Sequence, residues 1–292
     1  MDRLWCLGRP DSDGPAQYCF VSQREIPKMA LIAVSLPGSS PVPGIIDRGG
    51  MLAVSASWMD RELRLPFGLD IPVPVVSCSI RVWDDTVDGL DQGDEAAEWF
   101  SQCLGAPGLR LFRKDLSKRR AIIPIHTPVE MDSLAETAFA DGFPLLIITK
   151  ESIKSVNDRL ADGNELDFPG QQVSPLNFRG NVVLAGFKQF EEEEFKVISI
   201  GSQTFFVCSR CTRCSIPTVN LDTGEKGKQP SKILMKNAWR RVDPGSKYNA
   251  CFGMNCIAKE SGFCVSVGQQ VRVVERSMDH HRKIGVWRSP KV

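Results

Sequence analysis

Three regularly spaced cysteines, Cys208, Cys211 and Cys214, are the residues whose type and spacing most clearly suggest chemistry. Arg210 and Arg213 stand among them. A neighbouring guanidinium favours the thiolate, which is the form of cysteine that attacks electrophiles and binds metals. The segment is therefore a candidate for thiolate chemistry.

This spacing fits three interpretations. A zinc site or an iron–sulfur cluster needs a fourth ligand, and the nearest further cysteines are Cys251 and Cys256. A single thiolate could instead ligate a soft or high-valent metal held by a cofactor, with the adjacent arginine binding an anionic group. The cysteines could also be buried as small apolar side chains. The residues by themselves leave all three interpretations open.

The composition narrows the classes of function. Lys and Arg number 36 against 35 Asp and Glu, which argues against a broad surface for nucleic acid or anionic membrane. The 3 histidines, His126, His280 and His281, are too few to favour histidine-based proteolysis or a histidine-rich metal site. Ten cysteines in 292 residues are too sparse for a disulfide scaffold, and the beginning of the chain has no apolar stretch of signal-peptide length. We therefore expect an intracellular protein with reduced cysteines and no nucleic-acid partner.

The elements that must position the cysteines are mostly short strands. Segments rich in Val, Ile and Phe are broken by Gly, Pro and Asp. The predicted strands are 30–35, 73–82, 145–149, 181–185, 196–200, 203–207 and 271–274.

Two helices are predicted, Asp94–Leu104 and Glu151–Leu160, because each places its apolar residues on one face. Thr149 is the expected N-cap of the second helix. The two faces consist of Ala96, Trp99, Phe100 and Cys103 in the first helix and of Ile153, Val156 and Leu160 in the second.

Two charged runs lie between these elements. The irregular stretch from Arg113 to Asp141 begins with basic residues, and Glu191–Glu194 is acidic. Such runs are usually solvated, so we expect both to lie at the surface.

The residues around Cys214 resemble the cysteine motif of MOSC domains, a family named for the C-terminus of molybdenum cofactor sulfurases. The motif runs Arg213-Cys214-Ser215-Ile216-Pro217-Thr218-Val219 and is followed by Asp222-Thr223-Gly224. Further segments resemble the family in the same order, over roughly residues 2 to 275. They are Asp2-Arg3-Leu4-Trp5, Gln23-Arg24-Glu25-Ile26-Pro27, Asp94–Trp99, Phe143–Ile148, Asn177–Val183, Trp239-Arg240-Arg241, Phe252-Gly253 and Val267–Val271.

The resemblance implies an α+β fold that is mainly β. A MOSC N-terminal β-barrel-like domain would occupy residues 1–112, and a MOSC β-barrel domain residues 142–275. An irregular connection at 113–141 would join them, and a basic tail would follow at 276–292. Relatives have a further strand with a cofactor-binding lysine before the Asp-Arg-x-Trp segment. Because this chain starts at Met1, the resemblance implies a truncated N-terminus and a barrel without its first strand.

The same resemblance implies a molybdenum–molybdopterin cofactor. Cys214 would be both the catalytic residue and the metal ligand, whereas Cys208 lies outside the motif and is expected to be structural. Arginine side chains suit the phosphate of the pterin because they bind it through two hydrogen bonds. The implied cofactor-binding residues are Arg24, Gly142, Phe143, Pro144, Arg179, Asn181, Thr212 and Arg213. Asn181 could alternatively serve a strand end, and Phe143 could pack as an apolar side chain.

The relatives most similar in pattern are amidoxime-reducing components. The resemblance therefore implies reduction of small N-hydroxylated substrates, of the amidoxime or N-hydroxylamine type, by oxygen-atom removal at molybdenum. It also implies cytochrome b5 and NADH-cytochrome b5 reductase as electron donors and a cytosolic or mitochondrial location. The pyridoxal phosphate domain of full-length sulfurases is not expected in a chain of this length. The alternatives are a non-catalytic MOSC module that binds or carries molybdenum cofactor or sulfur, and a zinc-stabilised interaction domain.

Overall fold

The computed structural model describes residues 3–12, 14, 16–36, 50–67, 76–122, 128, 131, 135–162, 166–235 and 250–277. The chain forms two compact units. The first holds Arg3–Arg120 and Leu221–Gly224, and the second holds Ala121–Asn220 and the chain from Glu225 onward. Several sequence features lie outside the described residues: the three histidines, the Trp239-Arg240-Arg241 motif and the tail beyond Ser277.

The first unit is built around a closed barrel. Its strands and their neighbours are β1 (Trp5–Pro10), β2 (Gln17–Val21), β3 (Ala33–Ser35), β4 (Met51–Ser55), β5 (Leu63–Pro66), β6 (Ser77–Val82), β7 (Asp85–Asp91) and β8 (Arg110–Lys114). The barrel order is β1-β2-β6-β7-β8, and antiparallel pairing of β8 with β1 closes the ring. The predicted boundary after residue 112 falls inside β8, and these five strands complete the barrel by themselves.

A helix and a small sheet form the core of this unit with the barrel. Strands β3, β4 and β5 make a three-stranded sheet, and α1 (Asp94–Leu104) buries its apolar face against the same cluster as Leu7 and Leu111. Glycines with positive φ flank α1, Gly93 at φ 90° and Gly105 at φ 62°, where a side chain would be strained. The bounds and the buried face predicted for this helix are confirmed.

The second unit is a six-stranded sheet with short helices. Its elements are β9 (Leu145–Thr149), α2 (Lys150–Asp162), α3 (Pro175–Phe178), β10 (Val182–Leu184), β11 (Phe195–Ile200), β12 (Gln203–Thr212), α4 (Ser231–Leu234), β13 (Cys251–Ala258) and β14 (Val271–Arg276). The strand order is β10-β9-β13-β12-β11-β14, parallel between β10 and β9 and antiparallel elsewhere.

The predicted second helix is also confirmed. Ile153, Val156 and Leu160 of α2 are buried, and they share a core cluster with Leu146. The N-cap is Thr149, whose Oγ1 accepts a hydrogen bond from the backbone N–H of Ser152 at 3.2 Å.

Most predicted strands have different bounds in the structure. The strand predicted at 73–82 begins at Ser77 as β6, with residues 73–75 outside the described part of the chain. The predicted strand 203–207 continues to Thr212 as β12, so Cys208 and Cys211 lie within the strand. Its partner β13 supplies the ladder that individually weak strand formers need. The segment 30–35 begins instead as the end of a 3₁₀ turn, Pro27–Leu31, because proline at its first position favours a helical start.

The expectation of solvated charged runs is wrong for several residues. Arg113, Lys114 and Arg120 are at most 8% exposed, and the side chain of Arg120 pairs with Asp85 at 2.6 Å. Glu192 and Glu193 are likewise buried. The partners of Arg120, Glu192 and Glu193 lie outside their own runs, so the runs themselves do not reveal this burial.

The predicted fold class is confirmed: the molecule is mainly β with few helices, and its N-terminal unit contains a β-barrel. Among the described residues, none of the helices combines the length and the apolar composition required to cross a bilayer.

Candidate functional site

Cys214 lies in a tight turn directly after β12. The turn leads into a 3₁₀ segment, Ile216–Thr218, that carries Pro217 near its start. The Cys214 Sγ is half-buried and accepts a hydrogen bond from the backbone N–H of Ile216 at 3.5 Å. The hydroxyl of Thr218 donates to the carbonyl of Ser215 at 2.8 Å and closes the turn. An accessible sulfur that faces a backbone N–H is suited to carry negative charge as a thiolate ligand.

Arg213 fixes the start of this turn. Its backbone N–H donates to the carbonyl of Ala250 at 2.7 Å, next to the start of β13. One terminal nitrogen of its guanidinium donates to Cys211 Sγ at 2.9 Å and the other to the carbonyl of Phe178 at 2.8 Å. Its Nε is buried, and no described residue accepts a hydrogen bond from it. The guanidinium therefore braces the turn and keeps one buried N–H that these bonds do not use.

Arg179 and Asn181 follow the short helix α3. Arg179 has a left-handed backbone, with φ 56° and ψ 39°, which is uncommon for a residue with a side chain. The next residue is Gly180, where an added Cβ would lie 2.8 Å from Cγ1 of Ile148, so only glycine fits without a shift. This close approach fixes how the chain turns from α3 into β10.

Asn181 has a structural partner. Its Oδ1 accepts a hydrogen bond from the backbone N–H of Leu146 at 2.8 Å, and its own N–H donates to the carbonyl of Leu146 at 2.9 Å. These two bonds join the starts of β10 and β9. These bonds do not use the amide nitrogen of the Asn181 side chain.

Gly142, Phe143 and Pro144 immediately precede β9. Gly142 is exposed, and Phe143 packs beside the cluster of Ile122, Ala135 and Ile257. This is the apolar alternative considered for Phe143.

The sheet register separates this segment from the cysteine turn. Leu145, at the start of β9, pairs with Cys256, whereas the exposed Thr212 pairs with Cys251 at the other end of β13. Five residues of strand correspond to roughly 17 Å. A group that touched both places would have to be elongated.

The candidate residues of the second unit nevertheless form one connected path. Thr212, Arg213 and Cys214 are consecutive, and Arg213 contacts the carbonyl of Phe178. The chain from Phe178 then reaches Asn181, which is bonded to Leu146 near the start of β9.

Arg24 belongs to the first unit. Its backbone N–H donates to Ser22 Oγ at 3.3 Å, and its guanidinium carbon lies 3.9 Å from the ring centroid of Trp83. Such stacking orients the guanidinium plane. The participation of Arg24 in the cofactor site stays a prediction.

The other two cysteines of the cluster have their own surroundings. Cys208 packs beside the same apolar cluster as Phe143, and burial raises the pKa of its thiol to about 12. Cys211 packs against a second cluster and receives the Arg213 hydrogen bond. Within the described ranges, no three His, Cys, Asp or Glu side chains lie close enough to hold a metal ion.

Two residues that the sequence reasoning missed hold the site together. Asn177 bonds to the carbonyl of Val219, beyond the cysteine turn, at 3.2 Å, and Phe178 stacks on Phe252 with ring centroids 3.9 Å apart. The sequence did contain a signal for Asn177. It lies three positions after Ser174, and this spacing, with proline at the first helical position, is typical of a capped helix start.

These residues fit a cofactor that combines a soft metal with an anionic group. Cys214 offers a half-buried sulfur, the buried Nε of Arg213 is a donor in need of an acceptor, and Thr212 is exposed beside them. Buried donors in proteins are usually hydrogen-bonded, and an oxygen of an anionic cofactor is a partner that would satisfy this one.

Comparisons with known proteins agree with the fold. Residues 1–107 match the family described as MOSC N-terminal beta barrel domain, and residues 135–272 match the MOSC domain.

Curated relatives fall into two groups. Mitochondrial amidoxime reducing component 2 of Bos taurus is 28% identical over 251 residues, which covers 84% of this chain and 64% of that protein. Its Homo sapiens counterpart is 29% identical over 251 residues, which covers 84% of this chain and 64% of that protein. Molybdenum cofactor sulfurase of Anopheles gambiae is 29% identical over 173 residues, which covers 59% of this chain.

The chain thus spans just under two thirds of the amidoxime-reducing relatives named above and 21% of the sulfurase. The two family matches follow one another along most of the chain, in the order and places that the barrel unit and the sheet unit occupy. The chain therefore belongs to the MOSC family, with a MOSC N-terminal β-barrel domain followed by a MOSC domain.

Proposed function

We propose that this protein is a molybdenum-cofactor-binding oxidoreductase that reduces N-hydroxylated substrates of the amidoxime or N-hydroxylamine type. The observation that carries the proposal is the Cys214 turn, where a half-buried sulfur faces a backbone N–H and stands beside a braced arginine. Thiolate is a soft ligand suited to such a metal. The names of the relatives, amidoxime reducing components and molybdenum cofactor sulfurases, support the choice of metal and reaction.

In this proposal the residues of the second unit have different roles in binding the cofactor. Cys214 ligates the metal, and the Nε of Arg213 and the hydroxyl of Thr212 donate to the cofactor close to it. Arg179, the amide nitrogen of Asn181 and the segment Gly142–Pro144 contact the cofactor farther along the path. The terminal nitrogens of Arg213 already bond to Cys211 and Phe178, so its larger contribution is to hold the turn in place.

The bound cofactor would supply the two-electron chemistry that converts N–OH, with two protons, to N–H and water. The protein supplies the thiolate at a fixed place and positive charge for the anionic parts. We further propose cytochrome b5 and NADH-cytochrome b5 reductase as the electron donors. The proposed setting is mitochondrial or cytosolic. The names of the relatives, which are named as mitochondrial proteins, support the first of these.

Turnover of benzamidoxime with cytochrome b5, its reductase and NADH tests this function. With the wild-type chain, the coupled system is expected to consume NADH in a benzamidoxime-dependent way, and with Cys214→Ala it should show no measurable benzamidoxime-dependent turnover. Cys208→Ala is the matched control and should stay close to wild type, because Cys208 packs away from the turn. Full turnover by Cys214→Ala with molybdenum bound would refute the assignment.

A second candidate is a non-catalytic module that binds or carries molybdenum cofactor or sulfur. It is favoured by the similarity to the sulfurase, whose identity to this chain equals that of the human amidoxime-reducing protein. Molybdenum bound through Cys214 without turnover of any N-hydroxylated compound would support this alternative.

A further inference from the structure

The short helix α3 contacts both ends of the Cys214 turn. At the near end, the guanidinium of Arg213 donates to the carbonyl of Phe178 at 2.8 Å. At the far end, Nδ2 of Asn177 donates to the carbonyl of Val219 at 3.2 Å. Cys214 lies between these two attachment points.

The amide of Asn177 has a defined orientation. The side chain is buried, and its Oδ1 accepts a hydrogen bond from the backbone N–H of Ser174 at 2.8 Å. Because a backbone N–H can only donate, the oxygen must face Ser174, and the amide nitrogen is left to face Val219. Asn177 thus uses both ends of one amide to join the start of α3 to the segment after Cys214.

The helix that carries Asn177 is itself anchored. The ring of Phe178 stacks on Phe252 of β13 with an angle of 22° between the ring planes, and both residues are fully buried. The backbone of Arg213 is bonded to Ala250, next to the same strand. The turn is therefore held between a sheet strand and a helix that packs on that strand.

We propose that Asn177 is a positioning residue for Cys214, which fixes the far end of the turn as Arg213 fixes the near end. The role toward a metal rests on the proposed function, whereas the restraint on the turn does not. Without the bond to Val219, the segment Ser215–Val219 keeps its internal hydrogen bonds and the bond from the N–H of Gly227 to the carbonyl of Thr218 at 2.9 Å. It loses its attachment to α3 at the far end, so we expect the turn that carries the sulfur to be less restrained.

Asn177→Asp tests the donor function of the amide separately from its acceptor function. The carboxylate still accepts from Ser174, but it sets an oxygen against the carbonyl of Val219. When protonated, the same group can donate to that carbonyl and restore the restraint. Burial favours the neutral form of a carboxyl, so the restoration is expected below roughly pH 6. Ser174→Ala is the matched control. It removes the hydroxyl, which accepts from the N–H of Leu176 at 3.3 Å and donates to Asn177 Oδ1 at 3.2 Å, and it leaves the bond from Asn177 to Val219 in place.

Hydrogen exchange of the cofactor-free chain between pH 5 and 8 measures the restraint. At pH 8, the amides of Ile216, Thr218 and Val219 in Asn177→Asp should exchange about 5- to 10-fold faster than in wild type, the size expected for one lost hydrogen bond. That ratio should fall toward one as the pH is lowered. Ser174→Ala should show a smaller ratio that does not change with pH. If the aspartate variant does not fold, Asn177→Ala replaces it. Its exchange should be faster than that of wild type at every pH, because alanine cannot donate to Val219.

Molybdenum content provides the second readout. Asn177→Asp purified at pH 8 should retain less molybdenum than Ser174→Ala. The proposal is overturned if the turn amides exchange at the same rate in Asn177→Asp and Ser174→Ala. It is also overturned if the ratio of exchange rates between Asn177→Asp and wild type does not change with pH. If Cys214→Ala keeps its molybdenum, the proposed function fails instead, and the exchange measurement still decides the role of Asn177.

Discussion

Cys208 and Cys214 lie close together in the sequence but differ in surroundings. Cys208 packs beside Ile122, Ala135 and Ile257, and burial raises the pKa of its thiol to about 12. Cys214 is half-buried in a turn and faces the backbone N–H of Ile216. The expectation that Cys208 is structural agrees with this packing. Whether Cys214 is the metal ligand stays a prediction.

Cys208 is therefore expected to resist alkylation. At pH 8 a thiol with that pKa is almost entirely protonated, so its reaction with iodoacetamide should be roughly a thousandfold slower than that of an ordinary exposed thiol. Cys264 is exposed and is the internal reference. Site-resolved mass spectrometry of the native chain measures both rates. Equal rates at the two positions would contradict the burial of Cys208.

At the scale of the element, the 3₁₀ turn Glu191–Glu194 shows how one charged run can contain opposite environments. Burial raises the pKa of Glu192, although its carboxylate accepts hydrogen bonds from Ser152 and Thr149. The backbone N–H of Lys188 and the guanidinium of Arg276 lower the pKa of Glu191. Glu193 forms a buried ion pair with Arg210 at 2.7 Å.

These shifts predict opposite effects of pH on stability. Between its ordinary pKa and its raised value, Glu192 binds more protons when folded, so its contribution to stability falls as the pH rises through that window. Glu191 has a lowered pKa, so its contribution is present above the ordinary value, about 4.3, and is lost as the pH falls. Urea titrations of the wild type, Glu192→Gln and Glu191→Gln between pH 3 and 8 measure the two contributions.

The expected result concerns the difference between wild type and each variant. The free energy of unfolding of wild type minus that of Glu192→Gln should decrease with rising pH, and the corresponding difference for Glu191→Gln should increase. If both differences changed in the same direction as the pH rises, Glu191 and Glu192 would not have the opposite environments that the structure shows.

The elements also show which features a sequence can predict. The helix Asp94–Leu104 is predicted with its bounds and buried face because the spacing of its apolar residues is a local signal. The burial of Glu192 could not be predicted, because its partners Thr149 and Ser152 are about forty residues away in the chain. In the site, the cysteine motif was visible in the sequence. The bond from Asn177 to Val219 was not, since it depends on how α3 packs.

At the scale of the whole molecule, family membership and reaction rest on different grounds. Matches to both MOSC domains span most of the chain and show the family. The relatives share less than a third of their residues with it and include both reductases and sulfurases, so the reaction is a proposal. The proposed reductase and a module that binds molybdenum cofactor share a cofactor held by Cys214, and a zinc-stabilised domain would lack it.

The most direct test of that shared cofactor is the metal content of the purified chain. Elemental analysis of the wild type, Cys214→Ala and Cys208→Ala, prepared in parallel from cells that make the cofactor, measures molybdenum and zinc per chain. The account predicts stoichiometric molybdenum in the wild type and in Cys208→Ala, and its loss from Cys214→Ala. Stoichiometric zinc without molybdenum in the wild type, or undiminished molybdenum in Cys214→Ala, would contradict it.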